Sequence, residues 1–406
     1  MFSDEAVGKE DRQNEKAVLK QVLSENTGRF IMATVTDYLD WRGDIPFSAD
    51  PFNEVDNVLL SLFAYVDLEG VLEEGGRLSL EAASEKYFTL HTREETASRD
   101  SYVRLVPFLM EKASGTRRFA ETVLHHYVNI IDADADEQMS AMTFDLEDGT
   151  SYVSFRGTDG SLVGWREDFN LAWMRQTSGQ KHAADYLDKV GKSGDCPLRV
   201  GGHSKGGNFA VYASAFCDAS VRERILEVDT NDGPGFIQEV AESEEMKVIC
   251  PKIRSLVPDE SLFGLMMYGI YGHEVIKSSA RRVFQHDAQT WLVEGNHFER
   301  AEKGLTEASI LLDKTLTGWV ANVEPKQRKK FVDFIFDVLD TSGADTLAEL
   351  HQNRIRNFAE LIRAAYSMDK ERKNQFSEVL SVLAKNGKNV LASELKKTID
   401  EAMKGH

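Results

Sequence analysis

The chain has 406 residues, of which 42% are hydrophobic and 28% are charged. These fractions are ordinary for soluble globular proteins, so they exclude a disordered or membrane-embedded class. Its 67 acidic and 48 basic residues give a formal net charge of -19, which disfavours nucleic-acid binding and adsorption to anionic lipid. The length allows two or three domains, or one large core with additions.

Cysteine spacing and the N-terminal sequence bear on the compartment and on cofactors. The three cysteines lack CxxC spacing, which indicates free thiols rather than disulfides or a zinc site. The opening "MFSDEAVGKEDRQNEK" has no apolar signal-peptide core, and the chain has no run of about 18 apolar residues. The sequence therefore predicts a cytoplasmic protein without stable membrane insertion, and without a metal or another cofactor.

The first part of the chain passes from a polar, charged segment to segments with regularly spaced apolar residues. Residues 1–28 are polar and charged, which is typical of a tail. In the region that follows, "EVDNVLLSLFAYV" places apolar residues at helical spacing and predicts an amphipathic helix that docks on a core. Farther on, "AMTFDL" and "SYVSF" flank "EDGT", which predicts a β-hairpin with its turn at Asp148 and Gly149.

Strand-like and helix-like segments alternate after the hairpin. "GWREDFNLAW" and "KGGNFAVYASAF" are helical, whereas "PLRVGG", "ILEVDTND" and "IRSLVP" are strand-like. The alternation predicts an α/β fold with a mostly parallel sheet flanked by helices, and ligands at the carboxyl ends of the strands. From residue 301 only helical patterns continue. We expect a domain over 29–300 and a C-terminal helical region over 301–406.

The segment Gly202-His203-Ser204-Lys205-Gly206 fits GxSxG, the pattern of a nucleophile elbow. The pattern alone is weak because glycine and serine are common residues. Here a strand pattern, "PLRVG", precedes it and a helical pattern, "GGNFAVYASAF", follows it, which is the context that the elbow requires. We interpret Ser204 as a nucleophile rather than a loop serine.

A second motif, "FRGT" at 155–158, ends the second hairpin strand and precedes a tryptophan and an aspartate. Together with "GHSKGG" it resembles the class 3 (fungal-type) lipases. The closer resemblance is to a bacterial family of lipase-like α/β-hydrolases with "GHSKGGN" at the elbow and "QHD" before a tryptophan, matched by 285–287 and Trp291. The likeness spans roughly residues 30–300 and implies the α/β-hydrolase fold.

The resemblance also implies an oxyanion hole. In class 3 lipases the residue after the FRG glycine and the backbone N–H after the nucleophile bind the oxyanion, which points to Thr158 and Lys205. Many of those lipases have an apolar residue where this chain has Lys205, and a cation there faces the positive end of a helix dipole. We expect a carboxylate, such as Asp229 or Asp232, to compensate; a lysine that reaches solvent is the alternative.

An elbow serine needs an acid and then a histidine, in that order along the chain. Asp259 directly follows the apolar strand "IRSLVP", as the lipase pattern suggests, and is the predicted acid. Asp229 and Asp232, in "LEVDTNDGPG", are the alternatives, because a loop at the neighbouring strand end also borders the site.

The predicted base is His286, which lies in the match to "QHD". His273 and His297 also follow the predicted acid and are the alternatives. In the expected mechanism His286 removes the proton of Ser204, and Asp259 orients His286 and stabilises its imidazolium.

We predict a serine hydrolase that cleaves carboxylic esters, acyl lipids among them. The uncharged stretch "SLFGLMMYGIYG" after the acid is interpreted as an acyl pocket, a mobile cover or a core segment. A phospholipase or acyltransferase using the same residues is an alternative, as is a non-catalytic scaffold that acts as an interaction protein. The expected partners are a small-molecule or lipid ester and, through the C-terminal helices, a protein or a second copy.

Overall fold

A computed structural model describes part of the chain. The predicted tail over 1–28 and nearly all of the predicted helical region over 301–406 lie outside the described residues. The described residues are 32–99, 101, 103–158, 162–307, 309–310, 313, 326 and 328–329.

Eight strands form one sheet, in which their spatial order follows their order along the chain. A separate short pair, β9 and β10, follows the sheet. The strands are β1 (Arg77–Ser79), β2 (Val123–Asp132), β3 (Glu137–Asp145), β4 (Ser151–Phe155), β5 (Leu198–His203), β6 (Ile225–Asn231), β7 (Ile253–Pro258), β8 (His273–Ile276), β9 (Val293–Glu294) and β10 (His297–Phe298).

Helices precede the sheet strands and connect them. Four short 3₁₀ turns, at Cys250–Lys252, Phe263–Leu265, Arg282–His286 and Ala288–Thr290, lie beside the last strands. The α-helices are α1 (Val35–Arg42), α2 (Glu54–Phe63), α3 (Leu80–Leu90), α4 (Arg93–Ser98), α5 (Val106–Ser114), α6 (Leu162–Asn170), α7 (Ser178–Lys192), α8 (Lys205–Phe216), α9 (Ala219–Arg222), α10 (Gln238–Ala241) and α11 (Glu244–Ile249).

The sheet has an antiparallel half and a parallel half. Strands β1 to β4 pair antiparallel, and β4 to β8 pair parallel. Each parallel pair needs a crossover, and helices supply those between β4 and β7. This topology, with the elbow at the end of β5, confirms the predicted α/β-hydrolase fold.

The predicted hairpin joins β3 to β4. Gly149 takes a φ of 79° in the turn, a left-handed conformation that glycine adopts without steric cost. The Leu146 amide donates to the Thr150 carbonyl at 2.9 Å and closes the turn. The turn fixes the register in which Phe144 pairs with Tyr152, so that alternate side chains point to opposite faces.

Each face of the sheet is covered by its own apolar core. Tyr152 belongs to the core under α2, whereas its neighbours Val153 and Phe155 belong to the core under α7 and α8. This alternation is the period of two that a strand buried on both faces must satisfy. The two cores hold the sheet between helical layers, with the carboxyl ends of β4 to β8 at one edge.

The predicted amphipathic helix is α2, and all its residues are buried. Asn53 caps its start by accepting from the Val55 and Asp56 amides at 2.9 and 3.2 Å. Asp56 is fully buried and accepts from Arg118 Nε at 2.7 Å and from Tyr38 Oη at 2.9 Å. The chain leaves this helix at the residues just before Tyr65, which reaches the candidate site.

Candidate active site

Ser204 lies at the junction of β5 and α8 in a rarely populated backbone conformation, with φ 59° and ψ -132°. The flanking glycines allow this turn because neighbouring backbone approaches closely. A Cβ on Gly202 would lie 2.3 Å from the carbonyl oxygen of Gly206, and one on Gly206 would lie 2.1 Å from that of Phe155. The segment has the geometry of a nucleophile elbow.

A chain of hydrogen bonds joins Ser204 to a histidine and a carboxylate. Ser204 Oγ lies 2.9 Å from His286 Nε2, and His286 Nδ1 lies 2.7 Å from Asp232 Oδ2. Asp232 directly follows β6, and His286 ends a 3₁₀ turn. The His286 side chain is 15% exposed and that of Asp232 is 1% exposed. The arrangement matches that of a serine nucleophile, its base and an orienting acid.

Asp232 is held ionised in this position. Burial opposes its ionisation, but the hydrogen bond and the electrostatic interaction with His286 outweigh burial and keep the pKa of Asp232 below its usual value. Its second oxygen, Oδ1, accepts from Ser261 Oγ at 2.5 Å and from the Gly264 amide at 3.0 Å. Residues 261–264 therefore fix the carboxylate from the side opposite His286.

The structure corrects the predicted acid. Asp259 does not pair with His286: its Oδ1 accepts from Gln285 Nε2 at 2.9 Å, while Asp232 occupies the place beside the imidazole. The reason lies in the order of the strands, because β6 is the direct neighbour of β5, which carries Ser204. Asp259 follows β7, one strand farther away. Of the two alternatives, Asp232 is the one that the fold brings to the histidine.

Asp229 and the alternative histidines have other partners. Asp229 lies within β6 and accepts from Arg254 Nε at 2.7 Å, and burial raises the pKa of its carboxyl to about 7. His273 lies 2.8 Å from Ser255 Oγ through its Nδ1 atom. His297 lies on β10 and is exposed.

The FRGT segment lies against the serine, as the oxyanion-hole prediction requires. A Cβ on Gly157 would lie 3.0 Å from Ser204 Cβ. Thr158 is buried, and its hydroxyl donates to Asp168 Oδ2 at 2.5 Å. Burial raises the pKa of Asp168 to about 6. The assignment of Thr158 and of the Lys205 amide as oxyanion donors stays a prediction.

The Lys205 side chain has a carboxylate partner, but a different one from those predicted. Its ammonium is 1% exposed and lies 3.1 Å from Glu167 Oε2, so it neither reaches solvent nor meets Asp229 or Asp232. Glu167 lies on α6, directly before Asp168. The sequence predicted a compensating carboxylate and missed which element supplies it.

His203 and Tyr65 form a contact that the sequence reasoning missed. His203 Nε2 lies 2.7 Å from the His286 carbonyl oxygen, and Nδ1 lies 2.9 Å from Tyr65 Oη. A carbonyl only accepts, so Nε2 carries the proton and Nδ1 accepts from the tyrosine hydroxyl. Burial lowers the pKa of His203 to about 3. The signal available in the sequence was a histidine directly before the nucleophile on a buried strand.

Within the part of the chain that the structure describes, no three histidine, cysteine or acidic side chains are grouped to hold a metal ion. In the same residues no helix is both long enough and apolar enough to cross a membrane.

Comparisons with known proteins identify a family. Among similar solved structures, M37 lipase is 14% identical with a TM-score of 0.34, and the match covers 53% of this chain and 70% of that one. Lipase II from Rhizopus niveus is 16% identical with a TM-score of 0.32, and the match covers 47% of this chain and 81% of that one. Lip2 lipase from Yarrowia lipolytica is 12% identical with a TM-score of 0.31, and the match covers 49% of this chain and 79% of that one. No curated protein matches the chain. The Mbeg1-like family model matches residues 113–337, which is more than half of the chain and includes the elbow. The chain belongs to the Mbeg1-like family.

Proposed function

We propose that the chain is a lipase-like serine hydrolase that cleaves carboxylic esters. The observation that carries this proposal is the hydrogen-bonded series Ser204, His286 and Asp232 at a strained elbow. Backbone strain of this kind persists only where the surrounding structure holds it in place, and such positions cluster at functional sites. The sequence prediction of a cytoplasmic enzyme without a cofactor is retained as part of the proposal.

The reaction begins with proton transfer from Ser204 Oγ to His286 Nε2 as the oxygen attacks the ester carbonyl carbon. The tetrahedral intermediate places negative charge on the former carbonyl oxygen, which binds to the donors at Thr158 and the Lys205 amide. His286 then gives its proton to the leaving alcohol, and an acyl-enzyme forms. Water, deprotonated by His286, attacks the acyl-enzyme, and its collapse releases the acid and returns the proton to Ser204.

Asp232 supports both steps without changing its own charge. Because its carboxylate accepts from His286 Nδ1, the Nε2 atom of the neutral imidazole is free of a proton and faces Ser204. The carboxylate also stabilises the imidazolium that forms in each half-reaction. Two donors on Oδ1, from Ser261 and Gly264, keep Asp232 in the orientation that this requires.

An acyl lipid is the substrate class that the surroundings favour. The Phe263 ring lies 4.2 Å from the His286 ring, measured between centroids. It belongs to the uncharged stretch over 261–272, which follows β7 and includes two methionines that adapt to aliphatic chains. This stretch contacts the triad acid at Ser261 and Gly264, so it lies beside the reacting groups.

Steady-state hydrolysis of p-nitrophenyl esters with short to long acyl chains tests the proposal. Asp232→Asn should lower kcat by about 10⁴-fold, because the amide favours the wrong imidazole tautomer. Asp259→Asn is the matched control and should stay within about threefold of the wild type, because residue 259 contacts Gln285 rather than His286 and an asparagine Oδ1 can still accept from Gln285 Nε2. Absence of hydrolysis of every ester by the folded wild type would favour a non-catalytic scaffold, and a larger loss in the Asp259 variant would contradict the assigned acid.

A further inference from the structure

Lys205 is a buried lysine whose ammonium lies entirely among protein groups. Its Nζ lies 3.1 Å from Glu167 Oε2, 3.1 Å from Gln138 Oε1 and 3.4 Å from the Gly164 carbonyl oxygen. It also lies 5.5 Å from the centroid of the Phe209 ring, within the range of a cation–π contact. The ammonium therefore joins α8 to β3 and to two positions on α6.

Such a lysine is unfavourable unless its partners compensate. Burial removes the hydration of the ammonium, and the first turn of α8 adds the positive end of the helix dipole. Glu167 is fully buried and accepts from Lys205 and from three further groups. These are the backbone N–H of Gln138 at 2.9 Å, the backbone N–H of Gly179 at 2.9 Å and Thr177 Oγ1 at 3.1 Å. The Glu167 carboxylate is thus hydrogen-bonded by four groups in the interior, which offsets the cost of burying it.

Helix α6 links this ion pair to the FRGT segment. Glu167 contacts the ammonium of Lys205. The next residue, Asp168, accepts a hydrogen bond from the Thr158 hydroxyl at 2.5 Å. Lys205 Nζ also lies 4.0 Å from Asp168 Oδ1. A displacement of α6 would therefore move both the Thr158 hydroxyl and the carboxylate beside it.

We propose that the Lys205 side chain is a positioning group for the oxyanion hole, since its ammonium holds helix α6, and through Asp168 the Thr158 donor, in place beside Ser204. The backbone N–H of the same residue is the second predicted donor. One residue then supplies a donor with its main chain and aligns the other donor with its side chain. This inference rests on the proposed function.

The positive charge of Lys205 has a second effect at the predicted oxyanion hole. Asp168 carries a negative charge next to Thr158, where an oxyanion would be repelled by it. The ammonium stands beside both Glu167 and Asp168, so it offsets part of that repulsion. Loss of the ammonium should therefore weaken transition-state binding more than ground-state binding, which lowers kcat and leaves KM nearly unchanged.

Lys205→Met tests the side chain alone, because it keeps the backbone N–H and much of the volume. We expect kcat for a short-chain p-nitrophenyl ester to fall about 10- to 100-fold, with KM changed by less than about twofold, since misplacement of one group by about 1 Å has effects of this size. Lys252→Met is the matched control, because Lys252 also bonds backbone carbonyls but lies directly before β7, away from the strand ends that carry the site. It should leave kcat unchanged.

A second variant separates positioning from simple loss of folding. Lys205→Met/Glu167→Gln removes both buried charges, so its thermal midpoint should recover relative to Lys205→Met, while kcat stays at least about tenfold low because the link to α6 is still missing. Recovery of full kcat together with stability would overturn the inference, and so would an unchanged kcat in a folded Lys205→Met. If Lys205→Met does not fold, the kcat of the double variant decides: a value at least about tenfold low supports the inference, and full kcat overturns it.

The wild-type enzyme separates this inference from the proposed function. If the folded wild type hydrolyses no ester and a fluorophosphonate does not label Ser204, the proposed function fails, and with it the catalytic role of Lys205. If the wild type is labelled and active while both Lys205 variants keep wild-type kcat, the inference alone fails.

Discussion

His203 should make the stability of the protein depend on pH in a way that one substitution removes. The residue is fully buried, with a hydrogen bond from its Nε2 to the His286 carbonyl and one to its Nδ1 from Tyr65. Its ring centroid lies 4.7 Å from that of His286, so a charge on His203 would oppose protonation of the catalytic imidazole. His203→Gln keeps a donor toward the carbonyl and cannot titrate.

The magnitude follows from the two pKa values of His203. Burial lowers the pKa from the ordinary 6.5 to about 3 in the folded protein. Between these values the unfolded chain binds a proton that the folded chain does not bind, so the free energy of unfolding falls as the pH falls. At about pH 5, which is about 1.5 below the ordinary value, the loss relative to about pH 7.5 amounts to about 2 kcal/mol.

Urea denaturation of the wild type and of His203→Gln at these two pH values measures the effect. Other shifted groups, such as Asp168 and Asp229, titrate in both proteins and cancel in the difference. The stability advantage of the wild type over the variant should be smaller by about 2 kcal/mol at the lower pH. An advantage that stays the same within about 0.5 kcal/mol would refute the reasoning that burial holds His203 neutral.

Three further substitutions test other parts of the structure. Gly206→Ala should lower the thermal midpoint or prevent folding, as followed by circular dichroism, because its Cβ would lie 2.1 Å from the Phe155 carbonyl oxygen. Arg118→Met should lower the free energy of unfolding in urea by about 3–5 kcal/mol, because it leaves Asp56 buried without its cation. Thr158→Val should lower kcat by about 10²-fold with little change in KM, as measured by ester hydrolysis, because it removes the hydroxyl that bonds Asp168 and holds the Thr158 donor in place.

Each of these expectations has a contrary result. A wild-type melting curve for Gly206→Ala would mean that the elbow relaxes without strain. A loss below about 1 kcal/mol in Arg118→Met would mean that Asp56 finds another donor or becomes neutral, because breaking a buried pair is otherwise strongly destabilising. A kcat within twofold of the wild type for Thr158→Val would mean that the hydroxyl's bond to Asp168 does not position the oxyanion hole.

The fold was largely predictable because its signals are local. Alternation around Asp148 and Gly149 predicted the hairpin, and the strand–glycine–helix sequence predicted the elbow at Ser204. Hydrophobic periodicity and turn residues act over a few positions, so a single sequence carries them directly. His286 was found through its place in a motif, and it lies at hydrogen-bond distance from Ser204.

The acid and the lysine partner were not predictable in the same way. Asp232 and Asp259 both directly follow a strand, and only the spatial order of β6 and β7 beside β5 decides which one meets His286. Glu167 reaches Lys205 because α6 contacts both β3 and α8, an arrangement set by crossovers rather than by local sequence. Sequence spacing does not contain this information.

The most direct test of the account is covalent labelling of the 406-residue chain with a fluorophosphonate, followed by mass spectrometry of its peptides. A serine activated by His286 and Asp232 attacks such a reagent, so the wild type should carry one label on Ser204. The Ser204→Ala variant, with an unchanged melting curve, should carry none. Equal labelling of both proteins, or no labelling of the folded wild type, would contradict the assignment of Ser204 as the nucleophile.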